Sequence, residues 1–596
     1  MPSCSYNFRN DAPVTYLKAA REIHKHADPS LQEFRIGLVG SYTLNFLTPY
    51  LVVEGAKKGF LIREYIGPFN QTNQQLLDPK SALLEYQPNI IIILNRFEDF
   101  FPGAQGSLTS LNSTDVKIEI KATLKQLFTA IKAARREINA HFIILNFIPP
   151  PWPSSGIADA GSECSEAGFV ATANAELAKL SKSYEGVFIA DWARFVMRIG
   201  YEACFDTRLW YWSRNPLKQT ILPRVGSFLV RSIAATVRPC CKCLVVDLDD
   251  TLWGGIIGED GIDGIELSDA YPGNVYKDFQ KYLLRLRRRG ILLAIASKNN
   301  YEDVAEVFRH HADCVLTLDD FSAVEIHWDD KPNSLRSIAD TLNIGLDSIA
   351  FFDDNPVERE LVQQLISDIH VIDVPVDPLR YIEALEDSGL FDQYSISAED
   401  IARHEMYVAN RKRATVRSAA TDLQDFLLEL ELCAEISAVT HSNLTRVSQL
   451  ISKTNQFNLT LRRRNSVELE GLLREGAIGL SMRLSDRFGD NGLIAVAIAV
   501  PIKRKWEIDT FLMSCRVLGR QAETLLLAEL IERIRQRGGA EVIGLYNAGP
   551  KNTFVANFYK QHGFVQIKNN ASMQQWRLGT NGIVVRPSII SVTRVD

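Results

Sequence analysis

Residues 244–251 read Leu-Val-Val-Asp-Leu-Asp-Asp-Thr, an apolar run that ends in three carboxylates and a hydroxyl. The run predicts a buried strand, and ligands bind at the carboxyl ends of strands in open α/β sheets. Because side chains alternate along an extended backbone, Asp247 and Asp249 project to the same side and can face one ligand. A divalent cation such as Mg²⁺ takes oxygen ligands, and a carboxylate can attack phosphorus to form an aspartyl phosphate. The stretch therefore predicts phosphoryl transfer.

Further groups that this chemistry needs follow along the chain. A second apolar run, 291–296, ends in Ser297, whose hydroxyl can hydrogen-bond a phosphoryl oxygen. Lys331 comes next, and its charge can neutralise both the nucleophile and the transferring phosphoryl group. Thr251 and Asn299 stand beside these groups and are candidate substrate contacts.

A third apolar run, 349–352, ends in Asp353 and Asp354. With Asp247 and Asp249, these acids complete a predicted magnesium site. The alternative is that the acids only cap the ends of strands. Capping alone would not need the serine and the lysine as well, so the catalytic interpretation is preferred.

The ordered set resembles the four motifs of the haloacid dehalogenase-like (HAD) phosphatases over residues 240–375. About fifty residues separate the first two motifs, too few for a large cap domain beside a helix over 276–289. The site is therefore expected to be open to a substrate carried on a protein. The resemblance implies the following roles: nucleophile Asp247, general acid and base Asp249, phosphoryl contact Ser297, stabilising cation Lys331, and magnesium ligands Asp353 and Asp354.

Composition bounds the class of protein. A chain of 596 residues is too long for one core, and 46% hydrophobic with 23% charged residues is ordinary for globular proteins. The net charge of -6 gives no electrostatic case for nucleic acid. The amino terminus lacks the pattern of a signal peptide, and no apolar run reaches the roughly twenty residues that cross a bilayer. We expect a cytoplasmic protein with neither a membrane nor a nucleic acid as partner.

The nine cysteines are unevenly spaced and do not form a disulfide framework. Three of them fall in the Cys-Cys-Lys-Cys stretch at 240–243, which runs directly into the strand before Asp247. That stretch lacks a second Cys or His pair at zinc spacing, so we expect no metal there.

Three blocks of alternating strands and helices are predicted, over 1–235, 240–375 and 421–596, with a charged helical linker over 376–420. The first block resembles the SGNH-type hydrolases, in which a serine, here Ser41, follows the first strand and Asn95 is a candidate oxyanion donor. SGNH enzymes also carry an Asp and a His three residues apart, whereas Asp206 here is followed by Leu209. Without a base the serine is a weak nucleophile, so a non-hydrolytic role is expected.

The last block places a thiol, Cys515, between a predicted strand over 506–514 and a predicted helix over 522–537. This arrangement is similar to GNAT acyltransferases, whose turn at this point cradles the pyrophosphate of coenzyme A. Gln521 stands where that family has a small residue. Arg516, Arg520 and the helix amino terminus can lower the pKa of the thiol and enrich its thiolate. A buried structural cysteine is the alternative.

The fold class predicted for the whole chain is α/β in three domains: an SGNH/flavodoxin-like parallel sheet, a capless HAD-like doubly wound sheet and a GNAT-like mixed α/β domain.

Residues 240–565 as a whole resemble the FkbH-like HAD proteins (subfamily IIIC) of polyketide pathways, on the segments 246–255, 258–261, 352–359, 453–458 and 486–492. The resemblance implies a glyceryl transferase and phosphatase. Such proteins take the phosphoglyceryl group of 1,3-bisphosphoglycerate, remove its phosphate and load glycerate as a thioester on an acyl carrier protein. The implied cofactor is Mg²⁺, and Cys515 is the candidate acyl carrier within the chain. The alternative is that the acyl group passes directly to the thiol of the carrier protein.

Six polar residues of the last block can bind the glyceryl or pantetheine groups, or equally cap turns: Lys453, Asn455, Gln456, Asp490, Asn491 and Arg516. Two other functions stay open. One is a phosphatase of a soluble phosphate ester with scaffolding flanking domains, which is indifferent to Cys515→Ala. The other is a non-catalytic module that binds a carrier protein.

Overall fold

The structure is a computed structural model that describes residues 13–595 apart from 102–112, 163, 404, 408, 410–412, 414–421, 455, 504, 571–572 and 583. The chain forms two compact units. The first consists of Met1–Arg238 with Asp392–Tyr394, and the second of Pro239–Phe391 with Ser395–Asp596.

The first unit contains a parallel sheet of five strands in the order β2-β1-β3-β4-β5. Every residue of the central strand β3 is buried, as is typical of a parallel sheet covered on both faces by helices. The strands are β1 Gln32–Gly40, β2 Phe60–Ile66, β3 Ile90–Leu94, β4 His141–Leu145 and β5 Val187–Ala190. The helices are α1 Pro13–Lys25, α2 Thr48–Lys57, α3 Thr72–Leu77, α4 Ala82–Glu85, α5 Phe97–Phe100, α6 Ser113–Glu137, α7 Glu166–Lys182, α8 Trp192–Ile199, α9 Tyr201–Cys204, α10 Thr207–Ser213 and α11 Leu222–Val237.

One helical segment of the described residues, Gln219–Val237, is long and apolar enough to cross a membrane. Its side chains Val225, Leu229 and Ile233 belong to the hydrophobic core of the first unit. A core helix passes the same test of length and composition, so the segment is weak evidence for a membrane span.

The second unit begins with another parallel sheet, in the order β10-β9-β6-β7-β8. Its strands are β6 Cys243–Val246, β7 Leu292–Ser297, β8 Phe321–Ile326, β9 Ile349–Phe352 and β10 His370–Val371. Its helices are α12 Ile257–Asp260, α13 Gly273–Arg288, α14 Tyr301–His310, α15 Lys331–Leu342, α16 Pro356–Leu365, α17 Tyr381–Ser388 and α18 Ala398–Ile401. Residues 247–291 are all described, and between β6 and β7 they form only α12, α13 and isolated β-bridges. This confirms the prediction that no large cap domain is inserted between these two strands.

The third sheet, also in the second unit, is mixed, with the order β17-β18-β16-β15-β14-β13-β11-β19. Its strands are β11 Cys433–Ala438, β12 Phe457–Asn458, β13 Ile478–Asp486, β14 Gly489–Ile502, β15 Lys505–Met513, β16 Glu541–Asn547, β17 Val565–Asn569, β18 Met573–Gly579 and β19 Ser591–Val595. Its helices are α19 Leu423–Glu429, α20 Leu444–Lys453, α21 Ser466–Arg474, α22 Ala522–Gln536 and α23 Phe558–Gln561. Two parallel sheets and one mixed sheet confirm the predicted multi-domain α/β fold class.

A short strand fills a gap inside the mixed sheet. β15 pairs with β16 only over Lys505–Glu507, although both strands continue beyond that point. Further along β15, β12 takes the place of β16 and pairs with Leu512 and Met513. The Leu459 amide donates to the Phe511 carbonyl, and the Asn547 amide donates to the Leu459 carbonyl. The chain's own segment 457–459 therefore bridges the two diverging strands.

Candidate active site: acids at the carboxyl edge of a parallel sheet

Three carboxylates meet where the two central strands of the second parallel sheet end. Asp247 follows β6, and Asp353 and Asp354 follow β9, its hydrogen-bonded neighbour. One oxygen from each side chain lies within 4.8 Å of the others. The parallel register brings the ends of β6 and β9 to the same edge, since Val246 pairs with Phe352. The structure thus brings together three of the four predicted metal ligands.

Lys331 lies among the carboxylates. Its Nζ is 2.7 Å from Asp247 Oδ2 and also donates to Asp353 Oδ2, and its side chain is only 4% exposed. Lys331 is the first residue of α15, whose N-cap Asp330 accepts a hydrogen bond from the Asn333 amide. Burial opposes the charged amine, but Asp247 and Asp353 outweigh it and raise the pKa of Lys331, so the residue stays cationic.

The remaining acids have raised pKa values. Burial and the neighbouring charge of Asp247 raise the pKa of Asp353 to about 7 and that of Asp354 to about 6. Asp354 Oδ1 accepts a hydrogen bond of 3.1 Å from the Thr251 hydroxyl. Asp247 Oδ1 is buried and has no hydrogen-bond partner. Crowded carboxylates with an unsatisfied buried oxygen are a suitable donor set for a hard cation, so Asp247, Asp353 and Asp354 fit Mg²⁺.

Asp249 lies outside the group of three, although the sequence analysis placed it among the metal ligands. Its Oδ1 accepts hydrogen bonds from Trp253 Nε1 and the Ile257 amide, at 2.9 and 3.1 Å. Its Oδ2 accepts from Asn299 Nδ2 at 2.9 Å. Both oxygens are therefore committed to hydrogen-bond donors, and the structure supports a ligand set without Asp249. Burial raises its pKa.

The second motif approaches the site through Asn299. The Asn299 side chain donates both to Asp249 and to Ser297 Oγ, the latter at 3.1 Å. Ser297 and Asn299 are each 4% exposed. Ser297, Asn299 and Asp249 thus form one hydrogen-bonded group at the ends of β6 and β7.

Two residues to which the sequence analysis gave no role support the site. Arg359 Nη1 donates to the carbonyls of Asp353 and Asp354, at 2.7 Å each, and so fixes the turn after β9. The indole of Trp253 is completely buried and holds Asp249. The sequence does offer a signal for Arg359, since this residue lies in the first turns of the helix that follows the acids. No local sequence pattern indicated the role of Trp253, because its contact with Asp249 depends on how the 247–267 loop folds back.

The predicted thiol, Cys515, begins a short 3-10 helix, Cys515–Val517, directly after β15. This agrees with the predicted position between a strand and a helix. The side chains of Cys515 and Lys453, and the whole of Asn455, lie outside the described residues.

Two other predicted substrate contacts, Gln456 and Arg516, line the same cavity. Arg516 Nε donates to Ser514 Oγ at 3.0 Å, and Ser514 lines the cavity as well. The structure therefore brings residues on both sides of Cys515 in the chain to one cavity.

Asn491 and Arg520 belong to a buried ion-pair network. Its centre is Asp486, which accepts from Arg413 at 2.7 Å and from Arg520 at 3.1 Å. The Asn491 side chain, in a residue 2% exposed, donates to Asp486 at 3.4 Å. Burial and the charge of Arg413 lower the pKa of Arg520 to about 10, against the pull of Asp486. Both residues thus brace the β13–β14 hairpin.

Asp490 lies at the exposed tip of the same hairpin. It pairs with Arg483 at 2.5 Å and accepts a hydrogen bond from the Gly492 amide. In this structure it shapes the turn, and it does not line the cavity of Gln456 and Arg516.

In the first unit, Ser41 is buried and 2% exposed, and its Oγ accepts a hydrogen bond from the Arg96 amide at 2.9 Å. Asn95 accepts a hydrogen bond from the Thr72 hydroxyl through its Oδ1. Asp206 caps α10 by accepting from the amides of Arg208 and Leu209. These contacts fix the three side chains in place, and the non-hydrolytic role of the first unit stays a prediction.

A solved structure that contains a phosphatase domain is similar to this chain. A crystal structure of the N-terminal part of the protein BF1531 from Bacteroides fragilis, which contains a phosphatase domain and is complexed with Mg, is similar to this chain. The identity is 28% and the TM-score is 0.56, over 63% of this chain and 99% of that one. The chain thus contains a region similar to a phosphatase domain that was crystallised with magnesium.

Acetyltransferases are similar over a smaller part. The ribosomal-protein-S18-alanine N-acetyltransferase of Escherichia coli is 14% identical with a TM-score of 0.20, over 25% of this chain and 94% of that one. A GNAT-family acetyltransferase of Desulfovibrio desulfuricans is 15% identical with a TM-score of 0.21, over 25% and 99%. Such low TM-scores carry no argument about function. No protein-family model and no curated protein matches the chain.

Proposed function

We propose that this protein is a magnesium-dependent HAD-type phosphatase joined to an acyl-transfer centre. In the more specific form implied by the FkbH-like resemblance, it takes the phosphoglyceryl group of 1,3-bisphosphoglycerate, removes the phosphate and loads glycerate on an acyl carrier protein. The observation that carries the proposal is the convergence of Asp247, Asp353 and Asp354 around Lys331. The likeness to a phosphatase domain complexed with Mg supports it.

In the phosphatase reaction, Asp247 attacks the phosphorus of the 3-phosphate ester and forms an aspartyl phosphate while the alkoxide leaves. Asp249 gives its proton to the alkoxide and then takes a proton from the water that hydrolyses the intermediate. Lys331 keeps the Asp247 carboxylate in place through the 2.7 Å contact. Asp247, Asp353 and Asp354 would hold Mg²⁺, which would supply positive charge against the transferring phosphoryl group.

In the acyl-transfer reaction, the Cys515 thiolate attacks the carbonyl of the acyl phosphate, and the C–O bond to phosphate breaks. Because an acyl phosphate is already activated, no ATP is needed. The resulting thioester exchanges with the pantetheine thiol of the carrier, one thioester replacing another. The position of Cys515 between two residues that line a cavity supports this role.

The experiment is intact-mass analysis of an acyl carrier protein incubated with this protein, Mg²⁺ and 1,3-bisphosphoglycerate. We expect wild type to add a glyceryl mass, Asp247→Asn to leave a phosphoglyceryl mass, and Cys515→Ala to add nothing. As a matched control, Cys164→Ala in the first unit should load the carrier as wild type does.

A second candidate is a phosphatase of a soluble phosphate ester, because the acidic group of Asp247, Asp353 and Asp354 with Lys331 lies wholly within the described residues and needs no carrier. The intact-mass experiment on the carrier protein also distinguishes this phosphatase from the transferase. Release of phosphate without a carrier, together with a carrier that stays unchanged in every reaction, would exclude the transferase and leave this second function.

A further inference from the structure

Exposed apolar side chains in the phosphatase-like part of the second unit are concentrated at one edge of its parallel sheet. Residues 239–391, all of which the structure describes, contain eight exposed large apolar or aromatic side chains. Seven of them follow the carboxyl ends of strands, at the edge that carries the acids: Ile256, Tyr271, Tyr301, Trp328, Val357, Val376 and Leu379. The eighth, Leu365, ends α16 and lies toward the opposite edge. Single exposed apolar residues are normal on a protein surface, but this distribution is one-sided.

Trp328 is the largest of the seven, and its indole is held in place. It lies three residues before Lys331, in the connection between β8 and α15. Its Nε1 donates to Asn300 Oδ1 at 3.0 Å, and Asn300 Nδ2 donates to Asp303 at 3.1 Å. The polar atom of the indole is therefore satisfied, whereas 69% of the residue is exposed. A fixed aromatic face that is open to solvent can pack against a ligand at little cost in side-chain entropy.

Two more exposed side chains adjoin Trp328 through printed contacts of the second motif. Tyr301 directly follows the asparagine that holds the Trp328 indole. Lys298 pairs with Glu358 at 2.5 Å, which joins the same connection to the start of α16, where Val357 is exposed. The connections after β7, β8 and β9 thus meet around the acids. We call Tyr301, Trp328 and Val357 together the apolar rim.

The charged groups at this edge are mainly acidic. The connections that follow its strands contain 17 acidic and four basic residues, over 247–272, 298–303, 327–331, 353–359 and 372–380. Their formal charge of -13 is larger in magnitude than the -6 of the whole chain. A field of that sign disfavours a small free anion. A phosphate ester is therefore held better at this edge if a long uncharged part of it also contacts the apolar rim.

The reacting groups themselves are buried. The side chains of Lys331, Asp353 and Asp247 are 4%, 0% and 12% exposed. Such groups receive the phosphoryl end of a substrate, while the part attached to the phosphate stays at the surface. The surface beside them is the apolar rim.

From these observations we infer that the apolar rim binds the pantetheine arm of a carrier-bound phosphate ester, with Trp328 as the main contact. This inference rests on the proposed function, and it adds the recognition surface of the phosphatase site. Pantetheine is an uncharged chain of methylene, methyl and amide groups, which an aromatic face and a β-branched side chain can contact. Trp328 is a recognition residue in this account and takes no part in the chemistry.

The first test measures phosphate release from a carrier protein that a separate transferase has charged in advance with a phosphoglyceryl-pantetheine arm. We expect Trp328→Ala to raise KM about tenfold or more with little change in kcat, because the arm contact is the same in the ground state and the transition state. Trp328→Phe keeps an aromatic face and should retain most of the affinity. The matched control is Leu365→Ala, the exposed apolar residue toward the other edge, which should keep the wild-type KM.

A substrate without an arm shows whether the effect of Trp328 is specific. Trp328→Ala should change KM for methyl phosphate by a much smaller factor than KM for the charged carrier. Equal factors for the two substrates would mean that the substitution disturbs the acidic site itself, and would overturn the inference. A KM for the charged carrier that is the same in Trp328→Ala and Leu365→Ala would also overturn it.

A second measurement uses the unmutated protein and so does not depend on the folding of variants. With Mg²⁺ omitted to slow turnover, the charged carrier should protect Trp328 and Tyr301 from oxidation by hydroxyl radicals, read by peptide mass spectrometry. Trp152, an 85% exposed residue of the first unit, should be oxidised equally with and without the carrier. Unchanged oxidation of Trp328 and Tyr301 contradicts the inference.

Failure of this inference can be separated from failure of the proposed function. If Trp328→Ala and wild type dephosphorylate the charged carrier equally well, the arm binds elsewhere and the proposed function stands. If wild type hydrolyses methyl phosphate but leaves the charged carrier intact, the carrier-linked function itself fails.

Discussion

At the scale of single residues, Lys331 is the group on which the acidic site depends most. It is 3% exposed and lies between two carboxylates that would otherwise repel each other in a medium of low dielectric constant. Removing one partner of a buried ion pair lowers the free energy of unfolding by far more than the intact pair contributes to it, because the remaining charges stay buried. The sequence predicted a cation here for catalysis, and the structure gives the same residue a structural task.

Lys331→Met should therefore destabilise the protein by about 3–5 kcal/mol when Mg²⁺ is absent, because two buried carboxylates lose their counterion. A bound divalent cation should offset part of this loss. In urea denaturation, Mg²⁺ should then raise the stability of the variant more than that of wild type. Lys281→Met is the control, since its pair with Asp278 is exposed and contributes less than about 1 kcal/mol. Equal losses in the two variants would contradict this interpretation of Lys331.

Asp247→Asn should reduce hydrolysis of p-nitrophenyl phosphate by about 10³-fold or more, because the amide cannot form the aspartyl phosphate. The matched control is Asp340→Asn, an exposed residue of α15, which should keep wild-type turnover. Substantial residual turnover by Asp247→Asn, with the control unchanged, would show that another group is the nucleophile.

At the scale of helices and strands, the sequence was most informative where a local pattern decides the structure. The apolar run 90–94 is β3, and a predicted helix over 276–289 is Gly273–Arg288. The acids meet because parallel strands end at one edge, which the order of motifs implies.

The sequence could not show that β12 fills the gap beside β15, because a two-residue strand has no periodicity of its own. It could not assign Asn491 to an ion-pair network either, since that contact depends on Asp486 and Arg520 being brought together by the fold.

Asp509 on β15 provides a test of such a network. Its side chain is 2% exposed, and its oxygens accept from Arg462 at 2.5 Å and from Arg464 at 2.8 Å. Burial alone would raise the pKa of Asp509, but hydrogen bonds from Arg464, Arg462 and Thr510 lower it below its usual 3.8. Asp509→Asn should destabilise the protein by about 2–3 kcal/mol at pH 7, measured by urea denaturation.

The effect of Asp509 should depend on pH in a definite direction. Because its pKa is lower in the folded state, its stabilisation is complete above the unfolded value and disappears as pH falls through the folded value. The stability difference between wild type and Asp509→Asn should stay constant from pH 7 to about 5 and shrink below about 4. Glu470→Gln, which breaks an exposed pair with Arg474, should change stability by less than about 1 kcal/mol throughout. A difference that grows in acid would contradict the assignment.

At the scale of the whole molecule, the two proposed reactions lie at opposite edges of one sheet. The acids stand at the carboxyl edge, and the cavity beside the Cys515 turn stands at the amino edge, about 16 Å away along β6. Under the proposed function, an acyl group loaded at one edge has to be moved before its phosphate is removed at the other. A flexible arm on a carrier protein is suited to this transfer.

Two inactive variants should consequently complement each other. Under the proposed function, Asp247→Asn should load phosphoglyceryl on the carrier and fail to remove the phosphate, and Cys515→Ala should keep the phosphatase site. Mixed together with the carrier, Mg²⁺ and 1,3-bisphosphoglycerate, they should yield the glyceryl mass that neither yields alone. Intact-mass analysis of the carrier gives the readout. The absence of that mass in the mixture, with both variants folded, would mean that the intermediate never leaves one molecule.

The segment 457–459 has a consequence for the design of ligands. Its main chain already takes up hydrogen-bonding groups of β15 and β16 that face each other across the gap. An extended amide inhibitor that imitates an added strand would have to displace segment 457–459 from this gap. Because that segment is covalently attached, its effective local concentration is on the order of millimolar, and a weakly binding inhibitor could not compete with it.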